Sequence, residues 1–510
     1  MASFVLALGV TVLLWSVAKF LYATWWRPKI LERKLMKRGI LGPSYKFLYG
    51  NAKEIMELTT EARRKNMKLS HDIVHRVDPF LLTQTMSYKS PFVVWYGTTP
   101  RVNVMDPKTT KDILSRTTDF QKPHVHWSMK LFLNGLANID GEKWARHRKI
   151  INPAFHVEKL KRMLPAFMTS SEEMVEKWDS MIGPAGTLEL DVFPEFQDLT
   201  GDVISRAAFG SNLEQGRQIF TLQREQSQLF LQTLYTSNLP WSRYLPTGTN
   251  QRMKQIYKEV ATILGEMMEN REKAIASGTN EYDDLLTQLL RYNQDEQREK
   301  GKALGMTRED IMEECKLFYF AGHETTANLL TWAMVALSMH QDWQDKARDE
   351  VIRLVANNKP TFEDLNRLKI VHMVLLEVLR LYPPTSLVRR TTKETQVGDV
   401  SVPPGVDLQI PLYMVHRDTK QWGEDANDFR PERFADGISK ASKDVSFFSF
   451  GWGPRICIGQ QFAMVEAKLA LAMILQRFTF QLSPVYCHAP FICLTLQPQY
   501  GAQLVLRKVY

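Results

Sequence analysis

The stretch Phe450-Gly-Trp-Gly453-Pro-Arg455-Ile-Cys457-Ile-Gly459 is the part of this sequence that decides how the rest is interpreted. Its three glycines can adopt backbone angles closed to other residues, which predicts a tight loop pressed against something flat. Phe462, Val465 and Leu469 then recur at helical spacing, so a long helix follows the loop. The partial positive charge at that helix N-terminus favours the thiolate form of Cys457.

A thiolate held in a rigid glycine loop suits a soft-ligand metal site. Zinc and iron–sulfur clusters are poor fits, because the loop has one cysteine and no CxxC spacing, whereas haem bound through a single thiolate needs only one. The alternative is a buried core cysteine in a glycine-containing turn, the commoner fate of a lone cysteine.

The loop matches the pattern F-x-x-G-x-R-x-C-x-G at all of its fixed positions, and it resembles the haem-binding loop of the cytochrome P-450 superfamily. The resemblance implies that Cys457 is the axial ligand to the iron of haem b. It also implies that Phe450, Arg455 and Gly459 contact the haem.

Composition is ordinary for a globular protein with a large core: 510 residues, 44% hydrophobic and 24% charged. The four cysteines, at positions 315, 457, 487 and 493, do not suggest a disulfide framework and fit a reducing compartment. The net charge is +9, and seven Lys/Arg against one acid lie between Arg27 and Lys46. Because the basic excess is concentrated behind the N-terminus, it indicates a membrane surface and not nucleic acid.

Residues 2–26 are almost wholly apolar and end in Trp25-Trp26. About 20 apolar residues cross a bilayer as a helix, and the basic residues that follow favour a cytosolic position for that end. A cleavable signal would usually carry its charge before the apolar core, so the order here favours a retained anchor. We expect an anchor at 1–26, a basic Gly/Pro linker at 27–50 and a catalytic domain at 51–510, on the cytosolic face of the endoplasmic reticulum.

Trp144 and Arg148 are spaced i and i+4, so they share one helix face. Such a pair is more often surface packing. In the family, however, the matching W-x-x-x-R pair donates to a haem propionate, and a planar guanidinium suits that carboxylate. By the same resemblance, Arg390 and Arg455 are further propionate donors.

The longest helical pattern runs from about Asp310 to His340 and is interrupted by Ala321-Gly-His-Glu-Thr-Thr326. Glycine and consecutive threonines are poor mid-helix choices, and a local rule broken inside a long helix often marks a functional site. A buried polar kink is the alternative. The segment resembles the family's A-G-x-D/E-T motif, which implies that Thr325 steadies bound oxygen and that Glu324 leads protons to it.

Glu377-Val-Leu-Arg380 places an acid and a base on one helical turn, which alone usually means a solvated pair. The later segment Pro431-Glu-Arg433-Phe434 completes the match to the family's E-x-x-R and P-E-R-F motifs. The resemblance implies a structural triad of Glu377, Arg380 and Arg433 that locks the core near the haem loop. It also implies the superfamily's fold, mainly α with a small β portion.

The implied activity is insertion of one oxygen atom from O2 into a C–H bond of a lipophilic molecule. Gly451-Trp-Gly453 has Ile456 where a dinucleotide fingerprint needs its third glycine, so no nicotinamide or flavin site is predicted there. The resemblance implies that electrons come from NADPH through a separate membrane-bound flavoprotein reductase. Arg146 and Lys149 are candidates for its docking surface, and an ordinary solvated basic patch is the alternative. A haem-thiolate isomerase or dehydratase and a non-catalytic haem protein remain as other classes.

Several stretches, such as Gly39–Tyr45 and Trp144–Phe155, resemble the plant seventy-two clan, nearest to a subgroup of in-chain fatty-acid hydroxylases. The expected reaction is therefore in-chain hydroxylation of a fatty acid. A steroid, a gibberellin-like or triterpenoid compound, or a xenobiotic such as a herbicide is the alternative. By position in the family's fold, the substrate pocket should be lined by Phe318, Ala321 and residues 124–136, 385–388 and 496–499. Within these ranges we single out Thr385, Leu387, Val388 and Leu496.

Overall fold

The computed structural model describes residues 2–123, 125–183, 186–210, 213–236, 244–278, 284–300, 305–356 and 358–509. The helices of the N-terminal half are α1 Ala2–Leu21, α2 Arg27–Met36, α3 Ala52–Arg64, α4 Val74–Val77, α5 Pro79–Ser87, α6 Pro107–Ser115, α7 Trp127–Phe132, α8 Gly141–Ile151, α9 Val157–Ile182, α10 Val192–Phe209 and α11 Leu213–Thr236. Those that follow are α12 Gly248–Ala276, α13 Leu285–Lys300, α14 Arg308–Met339, α15 Gln341–Val355, α16 Phe362–Arg367, α17 Lys369–Leu381, α18 Leu412–Val415, α19 Thr419–Trp422 and α20 Gln460–Arg477.

The strands are short and lie mostly at the two ends of the chain: β1 Phe92–Tyr96, β2 Thr99–Asn103, β3 Phe120–Gln121, β4 Thr187–Asp191, β5 Leu387–Thr391, β6 Thr395–Val397, β7 Val400–Val402, β8 Asp407–Ile410, β9 Phe478–Leu482, β10 Pro490–Cys493, β11 Thr495–Pro498 and β12 Gln503–Lys508. A five-stranded sheet has the order β1-β2-β8-β5-β3, and a three-stranded sheet has the order β4-β12-β9. The expected architecture, mainly α with a small β portion, is confirmed.

The N-terminal helix α1 stands apart from the protein body, and its large apolar side chains are exposed, including Phe4, Leu13 and Trp15. A π-helical turn over Tyr22–Trp26 continues it into α2. The helical stretch Ser3–Met36 is long and apolar enough to cross a membrane. Among the described residues, the segment predicted as an anchor therefore has the length and composition of a membrane-spanning helix.

The basic segment behind α1 packs onto the five-stranded sheet. Leu35, Ile40 and Tyr45 are buried in one apolar cluster with Trp95 of β1 and Val102 of β2. The division at residue 50 into linker and domain stays a prediction, but the apolar side chains of this segment contribute to a core. On α2 the buried Leu31 and Leu35 are spaced i and i+4 and share one helix face, and Ile40 and Tyr45 join the same cluster from the segment that follows the helix.

Helix α14 is the central element of the larger core. It runs from Arg308 to Met339, within two residues of the predicted bounds at each end. Thr307 caps it in a capping box with Asp310, which satisfies two donors at its N-terminus. It packs against α10, α17 and α20, and most of its side chains are buried. Because this 32-residue helix has few exposed positions, neighbouring elements pack around it on most sides.

Candidate functional site

The cysteine loop folds back on itself before α20 begins. The Cys457 amide donates to the Phe450 carbonyl at 2.8 Å, which closes the loop. Gly453 has a φ of +70°, and a Cβ there would lie 2.9 Å from the Leu114 carbonyl oxygen. Only glycine fits this position, because both the backbone angle and the approach to the end of α6 exclude a side chain.

The loop faces α14 across a cavity of about 340 Å³. Cys457 lines this cavity, and so do the predicted residues Trp144, Arg148, Phe450, Arg455 and Gly459. Burial raises the pKa of the Cys457 thiol, and the Gly459 amide and the Arg148 guanidinium oppose that rise. Helix-end charge alone therefore does not make the thiolate here, whereas coordination to a metal cation deprotonates a thiol outright.

One side of the cavity carries a buried excess of positive charge. Arg455 pairs with Asp140 and donates to the Ile139 carbonyl at 2.8 Å, while its Nε has no partner among the described residues. Arg389 is buried with its Nε likewise unpartnered there. Burial lowers the pKa of Arg389 to about 10, and burial with Arg389 and Arg455 nearby lowers that of Lys122 to about 7.

Three cations thus face one carboxylate, and the site lacks two negative charges. A haem b carries two propionates, so the donor set and its charge fit that group. Trp144 adds a wall to this side, since the Arg455 guanidinium lies 4.4 Å from its ring centroid. Arg148 takes a different place, donating to the Ile456 carbonyl at 3.0 Å beside the cysteine.

Sequence reasoning chose Arg390 as a propionate donor, but the structure lines the cavity with Arg389 instead. Successive side chains of a strand point to opposite faces. On β5, Leu387 and Arg389 line the cavity, while Arg390 donates to Asp407 at 3.0 Å on the other face. Lys122 was missed as well. The period-two alternation of β5 with Leu387 placed inward could have identified Arg389, but a lysine in a loop gave no signal.

The opposite wall comes from α14, which contributes Ala321, Gly322, Thr325 and Thr326. The helix is not broken here: the Thr325 hydroxyl donates to the Ala321 carbonyl at 2.8 Å within an unbroken run of α-helix. Gly322 allows α10 to approach, because a Cβ there would lie 2.8 Å from Ile204 Cδ1. The interrupted sequence pattern therefore corresponds to a polar notch on α14, formed by these four residues where α10 crosses the helix closely.

Glu324 lies beside the notch and lines a second, polar cavity with Arg224 and Gln497. Its carboxylate accepts hydrogen bonds from the Thr495 hydroxyl at 2.8 Å and from the Gln497 amide, both on β11. Burial raises the pKa of Glu324. Thr325 borders the cysteine cavity and Glu324 borders the polar one, so the pair spans the helix between them.

The motif residues Glu377, Arg380 and Arg433 are brought together. Arg380 is fully buried, and its Nε and Nη2 each donate to Glu377 at 2.7 Å. Arg433 Nε lies 3.5 Å from the same carboxylate. His416, which sequence reasoning did not select, connects this network to the cysteine loop: its Nε2 accepts from the Phe448 amide at 3.0 Å, and its Nδ1 lies 3.2 Å from the Arg380 carbonyl.

Of the predicted pocket residues, Phe318, Ala321, Thr385 and Leu387 line the cysteine cavity, as does Leu136 from the range 124–136. His124 lies outside the described residues. Val388 is on the other face of β5, opposite Gln409. Leu496 is a buried core residue, and its amide donates to the Pro384 carbonyl at 2.9 Å. The structure therefore does not place Val388 or Leu496 in the wall.

A mainly helical fold, one cysteine loop facing a central helix, and a buried site for two carboxylates together define a haem-thiolate protein. Comparison with known proteins then gives the family. The family model for cytochrome P-450 matches residues 80–505, so the chain belongs to the cytochrome P-450 family. The family uses haem held by a cysteine thiolate and takes electrons from a redox partner, and membership implies an oxidoreductase of the monooxygenase type.

Curated relatives place the chain with the plant CYP72A group. It is 52% identical over 490 residues to CYP72A616 of Paris polyphylla, covering 95% of each chain. It is 49% identical to CYP72A219 of Panax ginseng, covering 100% of this chain and 98% of the relative. It is 46% identical to 72A15 of Arabidopsis thaliana, covering 100% of this chain and 99% of the relative. The seventy-two clan is confirmed, and these names give no support to the fatty-acid hydroxylase subgroup.

Proposed function

We propose that this chain is a membrane-anchored monooxygenase that hydroxylates a lipophilic molecule with electrons from NADPH, delivered by a separate flavoprotein reductase. The observation that carries the proposal is the cavity between Cys457 and Thr325, with its two-carboxylate site at one side. Lys122, Arg389 and Arg455 would hold the propionates, and Cys457 would bind the iron. When bound, the haem supplies the activation of oxygen and the oxidising power.

The protein's own groups supply protons and exclude water. Glu324 takes protons from the polar cavity, since burial raises its pKa and so makes its protonated form easier to reach. Thr325 holds a hydroxyl at the wall of the cysteine cavity, one residue along the same helix. Apolar neighbours such as Phe318, Ala321 and Leu387 keep the remaining wall dry.

For the substrate we propose a medium- or long-chain fatty acid, hydroxylated near but not at its methyl end. The cations that line the described cavity are Lys122, Arg148, Arg389 and Arg455. Lys122, Arg389 and Arg455 are assigned to the propionates. Arg148 lies beside Cys457. A substrate carboxylate then has no cationic partner near Thr325 and stays toward the entrance, so carbons far from the carboxylate reach the reacting position.

The test uses microsomes that contain the full chain and a plant reductase. They receive NADPH and a panel of fatty acids, steroids, diterpenoid acids, triterpenoids and herbicides, and the Cys457→Ser variant serves as the control. We expect NADPH-dependent hydroxylated fatty acids from the wild type only. Product from another class, with none from fatty acids, would overturn the substrate and leave the monooxygenase intact.

A haem-thiolate isomerase, a dehydratase or a haem carrier would consume no NADPH with any member of the panel, which would overturn the monooxygenase proposal.

The same microsomes test the localisation, which we propose to be the endoplasmic reticulum membrane with the body of the protein in the cytosol. Protease added outside intact vesicles should digest residues 51–510.

For reductase docking we propose Arg146 and Lys149 on α8. The substitution Lys149→Glu should raise the reductase concentration that is needed for a half-maximal rate.

A further inference from the structure

Helix α20 carries a buried acid that neither the cysteine loop nor the proton path uses. Glu466 is 1% exposed, and so is Thr326 on α14. Both carboxyl oxygens of Glu466 and the Thr326 hydroxyl lack a well-formed hydrogen bond to another described group. Thr326 is the polar side chain that faces the carboxyl. Three buried polar atoms thus meet at one point of the α14–α20 contact, where unpaired polar groups are costly.

The position of this pair links the two walls of the site. Thr326 follows Thr325 and itself lines the cysteine cavity. On α20, Phe462 and Ala463 line the same cavity within about one turn of Glu466. The helix that begins directly after the cysteine loop is therefore joined, through Glu466, to the turn of α14 that forms the opposite wall.

We propose that Glu466 stays un-ionised and donates a hydrogen bond to Thr326 Oγ1, so that it acts as a positioning residue for the Thr326 hydroxyl beside Thr325. An ionised carboxylate could only accept, and a buried charge here has no facing cation among the described residues to offset its desolvation. The protonated acid provides the O–H that the pair needs. Thr326 then keeps its own proton to donate toward the cavity that it lines.

The protonation state has a direct spectroscopic test that needs no turnover. The full-length haem-loaded protein is compared by infrared difference spectroscopy with Glu466→Gln at neutral pH. We expect a C=O stretch of an un-ionised carboxylic acid in the wild type and its loss in the variant. Thr326→Val should move that band to higher frequency, whereas Thr331→Val should leave it in place. Thr331 is the matched control, because it is buried on the same helix and bonds back to the Ala327 carbonyl at 2.7 Å.

The positioning role rests on the proposed monooxygenase function and is tested by the share of NADPH electrons recovered in product. We expect Glu466→Leu and Thr326→Val to lose much of this share, and Glu466→Gln and Thr326→Ser to restore it. Absence of the acid band, a band unmoved by Thr326→Val, or full electron recovery in Thr326→Val would each overturn the inference. If Glu466→Leu does not retain haem, the electron recoveries of Thr326→Val and Thr326→Ser decide whether the positioning role holds. A wild type without turnover overturns the proposed function, while the band test still decides this inference.

Discussion

Thr325 in the notch of α14 has a close match on the same helix, Thr331, against which its role can be tested. Thr325 lines the cysteine cavity and donates to the Ala321 carbonyl at 2.8 Å. Thr331 makes the same i−4 bond at 2.7 Å, but it is buried in the core. The backbone contact is therefore shared, and of these two threonines Thr325 is the one that lines the site.

We predict that Thr325→Ala binds haem normally but diverts electrons from product to peroxide. Loss of a positioned proton donor should lower product formation by about ten- to a hundredfold. Thr331→Ala, which removes an equivalent helix bond, should keep the wild-type ratio. The measurement is product and peroxide formed per NADPH consumed. Equal ratios in Thr325→Ala and the wild type would remove Thr325 from the mechanism.

A second residue-scale prediction concerns Lys122, whose pKa burial lowers to about 7. A propionate beside it would restore its charge, so Lys122→Met should weaken haem retention. A charge-assisted hydrogen bond is worth about 2 kcal/mol, which corresponds to about thirtyfold faster haem loss. Transfer of haem to excess apomyoglobin measures this rate. Lys143→Met is the control, because Lys143 is half-exposed and pairs with Asp310 outside the site; equal rates for the two variants would contradict the assignment.

The residues of the cavity show what the sequence could and could not predict. Motif spacing identified Cys457, because a loop of fixed length with glycines allows one geometry. On β5 the sequence pointed to Arg390, whereas Arg389 lines the cavity, since a resemblance gives a region and the strand's alternation decides the face. Lys122 could not be found, because its role depends on a fold contact with Arg389 and Arg455 that no local pattern records.

At the scale of elements, buried charge joins α17 to the segment before the cysteine loop. Arg380 donates to Glu377 and to the carbonyls of His416, Ala426 and Asp428. Two hydrogen bonds of this guanidinium thus stay on its own helix, and three hold backbone carbonyls of the segment 416–428. The E-x-x-R spacing could be read from sequence, but His416 could not, since it lies 36 residues beyond Arg380.

We predict that Glu377→Gln destabilises the fold by about 3–5 kcal/mol, because it leaves Arg380 buried without a counter-charge. Most of the variant should then accumulate without a thiolate-type reduced carbon monoxide spectrum. The control is Glu432→Gln, since Glu432 is exposed and its ion-pair partner among the described residues is Arg430 at 3.3 Å. Its effect should stay below about 0.5 kcal/mol. Urea unfolding followed by circular dichroism compares the two, and similar midpoints would show that the buried pair is not needed.

The prediction for α14 was accurate because its length and caps are local features. Its continuity through Gly322–Thr326 was not predicted, since propensity argues for a break there. Tertiary packing decides otherwise: α10 fills the space that the glycine leaves, with Ile204 against it. The Thr325 hydroxyl bonds within the helix, so the turn keeps its hydrogen bonds despite weak helix formers.

At the scale of the whole molecule, several buried histidines make stability depend on pH. Burial lowers the pKa of His416 and His323 to about 3 and of His488 to about 4. The unfolded chain, with a histidine pKa near 6.5, binds more protons than the folded one between those values. Stability is therefore full above about pH 6.5 and falls as the pH drops toward 4.

We predict that His488→Gln weakens this dependence by about 1.4 kcal/mol per pH unit between pH 6.5 and 4. His488 is suited to the test, because it is buried away from the cysteine loop and bonds to the Tyr486 hydroxyl at 2.8 Å. Exposed His75 supplies the control variant His75→Gln. Urea midpoints at pH 7 and pH 5 give the slope for each protein. An unchanged slope in His488→Gln would mean that this histidine is charged in the fold.

The N-terminal region combines a helix exposed to its surroundings with a segment that belongs to the core, and two truncations separate them. Removal of residues 2–21 takes away only α1, so the protein should leave the membrane fraction in part and keep its carbon monoxide spectrum. Removal of residues 2–45 also takes away Leu35, Ile40 and Tyr45, which are buried against Trp95. Each such side chain contributes about 1.5–3 kcal/mol, so the second truncation should lose the folded haem protein. Fractionation and the reduced carbon monoxide spectrum measure both effects. Equal spectra for the two truncations would show that the basic segment is a dispensable linker after all, and a full-length protein found soluble in cells would contradict the anchor.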